Sequence, residues 1–119
     1  MSAPVLPAPV AARIRDGFTF TAVYQEGRAL LYSGVAIQYR PALQDEYAEY
    51  VGDPRKPLAK MREWVAKHVV AWNVEGDEPG TVAPLGVESV KQLAYPVLDW
   101  MDSCVNGYAP KSEVADAKN

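Results

Sequence analysis

The chain has 119 residues, a formal net charge of −3 and 49% hydrophobic residues. This length is sufficient for one domain with its own core, and this composition argues against a wholly disordered chain. The weak net charge gives no basic footprint for nucleic acid or anionic membrane, and no apolar run approaches the ~20 residues of a membrane-spanning helix. We therefore expect a protein that binds neither nucleic acid nor membrane.

The two ends of the chain differ in composition from its centre. Residues 1–16 are rich in proline and alanine and lack a periodic apolar pattern. Because proline fixes φ and removes a hydrogen-bond donor, this segment is predicted to form an extended arm rather than a helix. Residues 109–119 are polar and are predicted to form a flexible tail. A single folded domain is expected to span residues 17–108.

The first part of that domain has the alternation of β-strands. Residues 18–24 and 35–39 both alternate with a period of two and contain aromatic and β-branched side chains. A shorter strand is predicted at residues 29–32, between them. The three segments predict a small antiparallel meander with one aromatic face.

Four helices are predicted after Pro41. A proline suits the first turn of a helix, and Pro57 and Pro96 each open an apolar repeat of helical spacing. A shorter helix is predicted at residues 87–94. The expected fold class is therefore α+β, a small antiparallel β-meander followed by a four-helix C-terminal part.

The first two helices have distinct apolar and polar sides. In the first helix the apolar side is formed by Leu43, Tyr47, Tyr50 and Val51. Its acidic residues are predicted to face solvent, and these are Asp45, Glu46 and Glu49. In the second helix the apolar stripe consists of Leu58, Met61, Val65, His68, Val69 and Trp72. This stripe predicts a helix that extends to about Trp72.

No catalytic, metal or cofactor motif stands out. His68 is the only histidine, and no further Cys, His, Asp or Glu accompanies it at the spacing of metal ligands. Cys104, the only cysteine, is expected to be a small core residue of the last helix. We therefore expect no enzyme, no cofactor, no metal and no small-molecule substrate. The rival hypothesis is a hydrolase or transferase that uses His68 with Cys104, although their helical positions give no reason for contact.

The charges and aromatic residues suggest contacts between proteins. Residues 54–72 carry five basic residues and one acid, whereas residues 73–108 carry six acids and one lysine. Either the two segments pack together within one chain and the opposite charges at their edges attract each other, or subunits associate head to tail through these charges. Exposed aromatic residues are common at protein interfaces. The candidate partner-binding residues are Arg55, Lys56, Arg62, Asp99, Asp102, Tyr50, Tyr95 and Trp100.

Several segments resemble small proteins of tailed-phage and prophage morphogenesis modules. They are residues 39–43 (YRPAL), the aromatic helix after them, residues 68–74 (HVVAWNV), and the acidic turn at residues 76–80. The resemblance continues through Pro84-Leu85, a helix through Val90 and Leu93, and Pro96-Val97-Leu98 at the start of the last helix, and covers roughly residues 35–108. Proteins of this family are called tail assembly chaperones or small tail-associated proteins.

The resemblance implies a non-enzymatic role in building a phage tail. A chaperone of this family would coat the helical tape-measure protein in the host cytoplasm, before tail tube protein polymerises around it, and would form a homo-oligomer. The arm at residues 1–16 favours an alternative, a structural virion subunit of the tail, connector or terminator. Such a subunit would use its arm for strand addition or wrapping between subunits.

Overall fold

The computed structural model describes residues 5–9, 13, 17–25, 32 and 34–107. They form a three-stranded antiparallel sheet and four helices, which confirms the α+β class. The elements in chain order are β1 (Phe20–Val23), β2 (Ala36–Tyr39), α1 (Gln44–Gly52), α2 (Pro57–His68), β3 (Val69–Trp72), α3 (Val87–Val90) and α4 (Tyr95–Val105).

Some sequence-based predictions lie outside the described residues. The short strand at 29–32 is one of them, apart from Tyr32, and the flexible tail at 109–119 is another. Of the arm at residues 1–16, the structure describes 5–9 and 13.

Strand β2 lies at the centre of the sheet, in the order β1-β2-β3. Ile37 pairs with Ala22 on one side and with Trp72 on the other, and all three side chains are buried. The neighbouring Gln38 is exposed. Because side chains alternate between the faces of a strand, the sheet has one face on the core and one face outward.

The second helix ends earlier than predicted. It stops at His68, and Val69–Trp72 form β3, which pairs with β2. The backbone N–H of Arg40 donates to the carbonyl of His68 at 2.8 Å, at the point where the helix gives way to the strand. The two β-branched residues Val69 and Val70 favour an extended backbone, and β2 offers an edge to pair with. Among the described residues, β1 and β2 pair antiparallel as predicted, and the third strand of the sheet follows two helices.

The core lies between the inner face of the sheet and helices α2 and α4, which pack against each other. Cys104 is 1% exposed, as expected for a core residue of the last helix. The side chains with less than 2% exposure are Ile37, Met101, His68, Val65, Val90, Val105 and Cys104. Six of these seven come from helices, so the helices supply most of the deep core.

A hairpin follows β3. The side chain of Asn73 accepts the N–H of Ala36 at 2.7 Å and donates to the carbonyl of Gly34 at 2.9 Å, which extends the β2–β3 pairing. The N–H of Ala83 then donates to the carbonyl of Val74 at 2.8 Å. The acidic turn at residues 76–80 is therefore the tip of a hairpin beside the sheet.

Candidate functional site

A groove of about 200 Å³ lies between α1 and α2. Four acids, three basic residues and the rings of Tyr50 and Trp64 line it. Whether these charges are available to a ligand depends on how many of them are already paired within the chain.

The base of the groove joins three helices. The rings of Tyr50 and Trp64 are stacked, with centroids 4.3 Å apart and an angle of 8°. The Tyr50 hydroxyl donates to Asp102 Oδ1 at 2.7 Å, and Trp64 Nε1 donates to Asn106 Oδ1 at 2.8 Å. Two predicted partner-binding residues, Tyr50 and Asp102, therefore bind each other and fasten α1 to α4.

Burial shapes the ionisation of this pair. It raises the pKa of the Tyr50 hydroxyl, and the hydrogen bond to the Asp102 carboxylate raises it further. Burial also raises the pKa of Asp102, although the hydrogen bond from Tyr50 acts in the opposite direction. The phenol therefore stays protonated, and its hydrogen bond counteracts part of the effect of burial on the pKa of the Asp102 carboxyl.

His68 is fully buried beside Trp64, with ring centroids 4.2 Å apart. Its Nδ1 lies 2.9 Å from the carbonyl oxygen of Trp64, and because a carbonyl only accepts, Nδ1 carries a hydrogen. Its Nε2 lies 3.4 Å from Glu46 Oε2 but makes no hydrogen bond with any described residue. The ring therefore lies between the Trp64 side chain and the Glu46 carboxylate. His68 occupies a structural position.

Glu46 connects the start of α1 to the end of α2. It accepts the N–H of Leu43 at 3.1 Å and lies 3.2 Å from Lys67 Nζ. Burial acts to raise the pKa of Glu46, but the Leu43 hydrogen bond and the positive Lys67 outweigh it and lower the pKa to about 2. These contacts stabilise the folded state at pH values above 4.5, the ordinary pKa of a glutamate carboxyl. That stabilisation is lost as the pH falls toward 2.

The rim of the groove is also paired internally. Arg55 lies 2.7 Å from both Asp53 and Glu63, and its hydrogen bonds lower the pKa of Asp53 to about 2. Lys60 Nζ donates to the carbonyl oxygens of Tyr50 and Asp53, at the C-terminal end of α1. The predicted partner-binding residue Arg55 is therefore engaged within its own chain. Most charges of the groove are therefore paired within the chain.

Among the described residues, no cluster of three or more His, Cys, Asp or Glu side chains could ligate a metal ion. None of the helices there is long and apolar enough to span a membrane.

Trp100 corrects one sequence-based prediction. It was expected to face a partner, but it is 4% exposed and its ring lies 5.2 Å from that of Tyr24 in the core. Helical spacing explains this, because Trp100 lies three residues after Val97 and four before Cys104 on the buried side of α4. The other candidates vary in exposure: Tyr95 is 59% exposed, Lys56 and Asp99 are exposed, and Arg62 is half-buried.

In helix α1, Asp45 and Glu49 are exposed as predicted, whereas Glu46 is not. None of its residues is fully buried, and it turns Glu46 and Tyr50 toward the molecule. Leu43, at its N-cap, is 48% exposed and Val51 is 57% exposed, with the half-buried Tyr47 between them. These three residues follow the i, i+4, i+8 spacing of one helix side, and we call them the α1 apolar stripe. The spacing was visible in the sequence, but the side of the helix that faces the core was not.

Comparisons of the chain with family models, curated proteins and solved structures give no match. The resemblance to phage morphogenesis proteins therefore stays a prediction that rests on residues 35–108. The structure adds a docked helix with a partly exposed apolar stripe, next to a groove whose charges are mostly paired.

Proposed function

We propose that this protein is a non-enzymatic phage tail assembly chaperone that binds an elongated helical client of the tape-measure kind and associates with itself. The observation that supports client binding is the α1 apolar stripe. A single exposed apolar side chain is ordinary on a protein surface. Two exposed side chains and one half-buried side chain at helical spacing, on a helix whose opposite side is acidic, have the pattern of anchors for a partner helix.

The shape and charge of the stripe suit a client helix. From Leu43 to Val51 the stripe extends about 12 Å, or roughly two helical turns, at 1.5 Å per residue. Ala48 is exposed beside it and is small enough to allow close approach. The acids Asp45 and Glu49 lie on the opposite side of the helix by their spacing. The stripe therefore offers an uncharged surface to the apolar face of an amphipathic helix.

A co-expression experiment tests client binding. The protein is produced together with the tape-measure protein of the same phage, and the amount of soluble client that co-purifies is measured. Val51→Asp places a charge on the stripe and is expected to reduce the captured client at least ~10-fold, which corresponds to about 1.4 kcal/mol of binding energy. Val82→Asp is the matched control, since Val82 is 54% exposed but lies in the hairpin outside α1. We expect that control to retain wild-type capture.

Two outcomes would count against the proposal. Equal capture by both variants would show that the stripe is not the client surface. Failure of the wild-type chain to retain any client would reject the chaperone function itself. Both substitutions lie on the surface and are expected to change stability by about 0.5 kcal/mol or less, so thermal melts can exclude unfolding as the cause.

The second candidate function is a structural subunit of the virion. The arm favours it, because Val5 is 96% exposed and Leu6 is 79% exposed. Apolar side chains that lack cover in their own chain are suited to contacts between neighbouring subunits in a particle. The chaperone would act in the host cytoplasm, whereas the subunit would be found in the virion, so the two functions differ in where the protein ends up.

A further inference from the structure

Residues 5–9 of the arm are apolar and largely uncovered. Residues 5–9 read Val-Leu-Pro-Ala-Pro and belong to neither a helix nor a strand. Val5 and Leu6 are 96% and 79% exposed, so their side chains have almost no contact with their own chain. Burial of apolar surface is favourable by about 25 cal/mol of free energy per Å² removed from water. Binding of this segment to another surface would therefore be favourable.

The prolines give this segment hydrogen-bond donors mainly on one side. In an extended strand, successive N–H groups point to opposite sides. Pro7 and Pro9 have no N–H, so one side of the strand loses two donors, while Leu6 and Ala8 keep theirs on the other side. A strand of this kind suits the outermost position of a sheet, where the proline side faces solvent.

Strand β1 offers a matching edge. Among the residues that the structure describes, β1 pairs with β2 alone. The N–H of Tyr24 donates to the carbonyl of Val35 at 2.8 Å, so by alternation Ala22 also directs its backbone groups to β2. The backbone groups of Thr21 and Val23 consequently point away from β2. Their two-residue spacing equals that of Leu6 and Ala8.

We propose that residues 5–9 of one copy of this chain add to the β1 edge of a second copy as a fourth strand. The inference rests on the self-association in the proposed function and specifies how it occurs. The donor is a second copy because the arm residues are exposed rather than folded onto their own sheet. The proline side faces outward and prevents addition of a further strand, so each edge takes one arm.

Side chains at the start of β1 provide apolar contact for the arm. The rings of Phe18 and Phe20 meet edge to face with centroids 5.1 Å apart, and the two residues are 36% and 46% exposed. An arm paired with Thr21 and Val23 would bring Val5 or Leu6 near these rings. The contact would thus combine backbone hydrogen bonds with burial of apolar area.

The geometry of this contact is head to tail. The arm and the β1 edge are different surfaces, so each copy can donate one arm and accept another. Contacts of this kind build open filaments, or rings when the rotation closes. Repetition of the contact would arrange successive copies along an elongated client.

Two proline variants test the pairing in the full chain. Ala8→Pro removes a donor on the pairing side, whereas Val5→Pro removes one on the outer side and serves as the matched control. Sedimentation velocity over a range of concentrations measures self-association. We expect Ala8→Pro to weaken the association constant at least ~10-fold, a loss of about 1.4 kcal/mol, and Val5→Pro to resemble the wild type.

Hydrogen exchange identifies the edge and the source of the arm. The amides of Thr21 and Val23 are expected to become protected as the wild-type concentration rises, and to stay unprotected in Ala8→Pro. Protection that is independent of concentration would show that the arm binds its own sheet and would overturn the inference.

The remaining outcomes separate this inference from the proposed function. Self-association that Ala8→Pro leaves unchanged would overturn the strand addition but leave self-association intact. A chain that is monomeric at every concentration would overturn both. Client capture in the co-expression experiment is measured independently of either result.

Discussion

Replacing Trp64 with alanine is expected to lower the free energy of unfolding by about 3–5 kcal/mol, the usual range for a buried tryptophan. Trp64 is 7% exposed and contacts three helices. Its ring stacks on Tyr50 of α1, it packs against His68, and its Nε1 donates to Asn106 after α4. Truncation leaves a cavity where α1, α2 and α4 meet, and denaturant unfolding measures the loss.

Trp64→Phe separates the stacking from the hydrogen bond. Phenylalanine keeps an aromatic ring against Tyr50 but leaves the Asn106 side chain without its donor. We expect a loss of about 1–3 kcal/mol, as for a partly buried polar group without its partner. If Trp64→Ala reduced stability by less than about 1 kcal/mol, the stacked base of the groove would not be what holds α1 to the molecule.

Trp100→Ala is also expected to destabilise the fold by about 3–5 kcal/mol, because the side chain is 4% exposed and packs on Tyr24. Trp100→Phe is expected to lose less stability than Trp64→Phe. Trp100 Nε1 is buried and has no hydrogen-bond partner among the described residues, so phenylalanine removes an unsatisfied donor there. Denaturant unfolding of both phenylalanine variants under one set of conditions gives the comparison.

The Trp100 variants also distinguish the two interpretations of this residue. If Trp100 faced a partner, as predicted from the sequence, the alanine variant would keep its stability within about 0.5 kcal/mol and lose partner binding. The buried position of Trp100 predicts instead that the alanine variant has a clearly lower free energy of unfolding.

The sequence predicted the local elements better than their arrangement. The strands near residues 20 and 37 and the helices opened by Pro57 and Pro96 all appear, because period and proline position are local signals. Strand β3 was missed as a full strand, since Val65, Val69 and Trp72 satisfy a helical repeat. Its strand conformation depends on an edge of β2 that lies about 30 residues earlier in the chain, and a local pattern contains no information about that edge.

In the candidate site, too, the local helical pattern was predicted but the contacts between elements were not. The helical spacing of Leu43, Tyr47 and Val51 was evident, but the acidic side of α1 was expected to face solvent. Glu46 faces inward instead, because Lys67 and the buried His68 lie at the end of α2. Whether Tyr50 and Asp102 face a partner or each other depends on how α1 packs on α4. Such tertiary contacts between distant residues determine which candidates stay on the surface.

The most direct test of the chaperone function is the protein composition of purified phage particles. Particles from the phage or induced prophage that encodes this chain are analysed by quantitative mass spectrometry, together with the lysate of the producing cells. The chaperone function predicts that the chain is abundant in the lysate and absent from the particles. A stoichiometric amount in the particles would contradict it and identify the chain as a structural subunit of the virion.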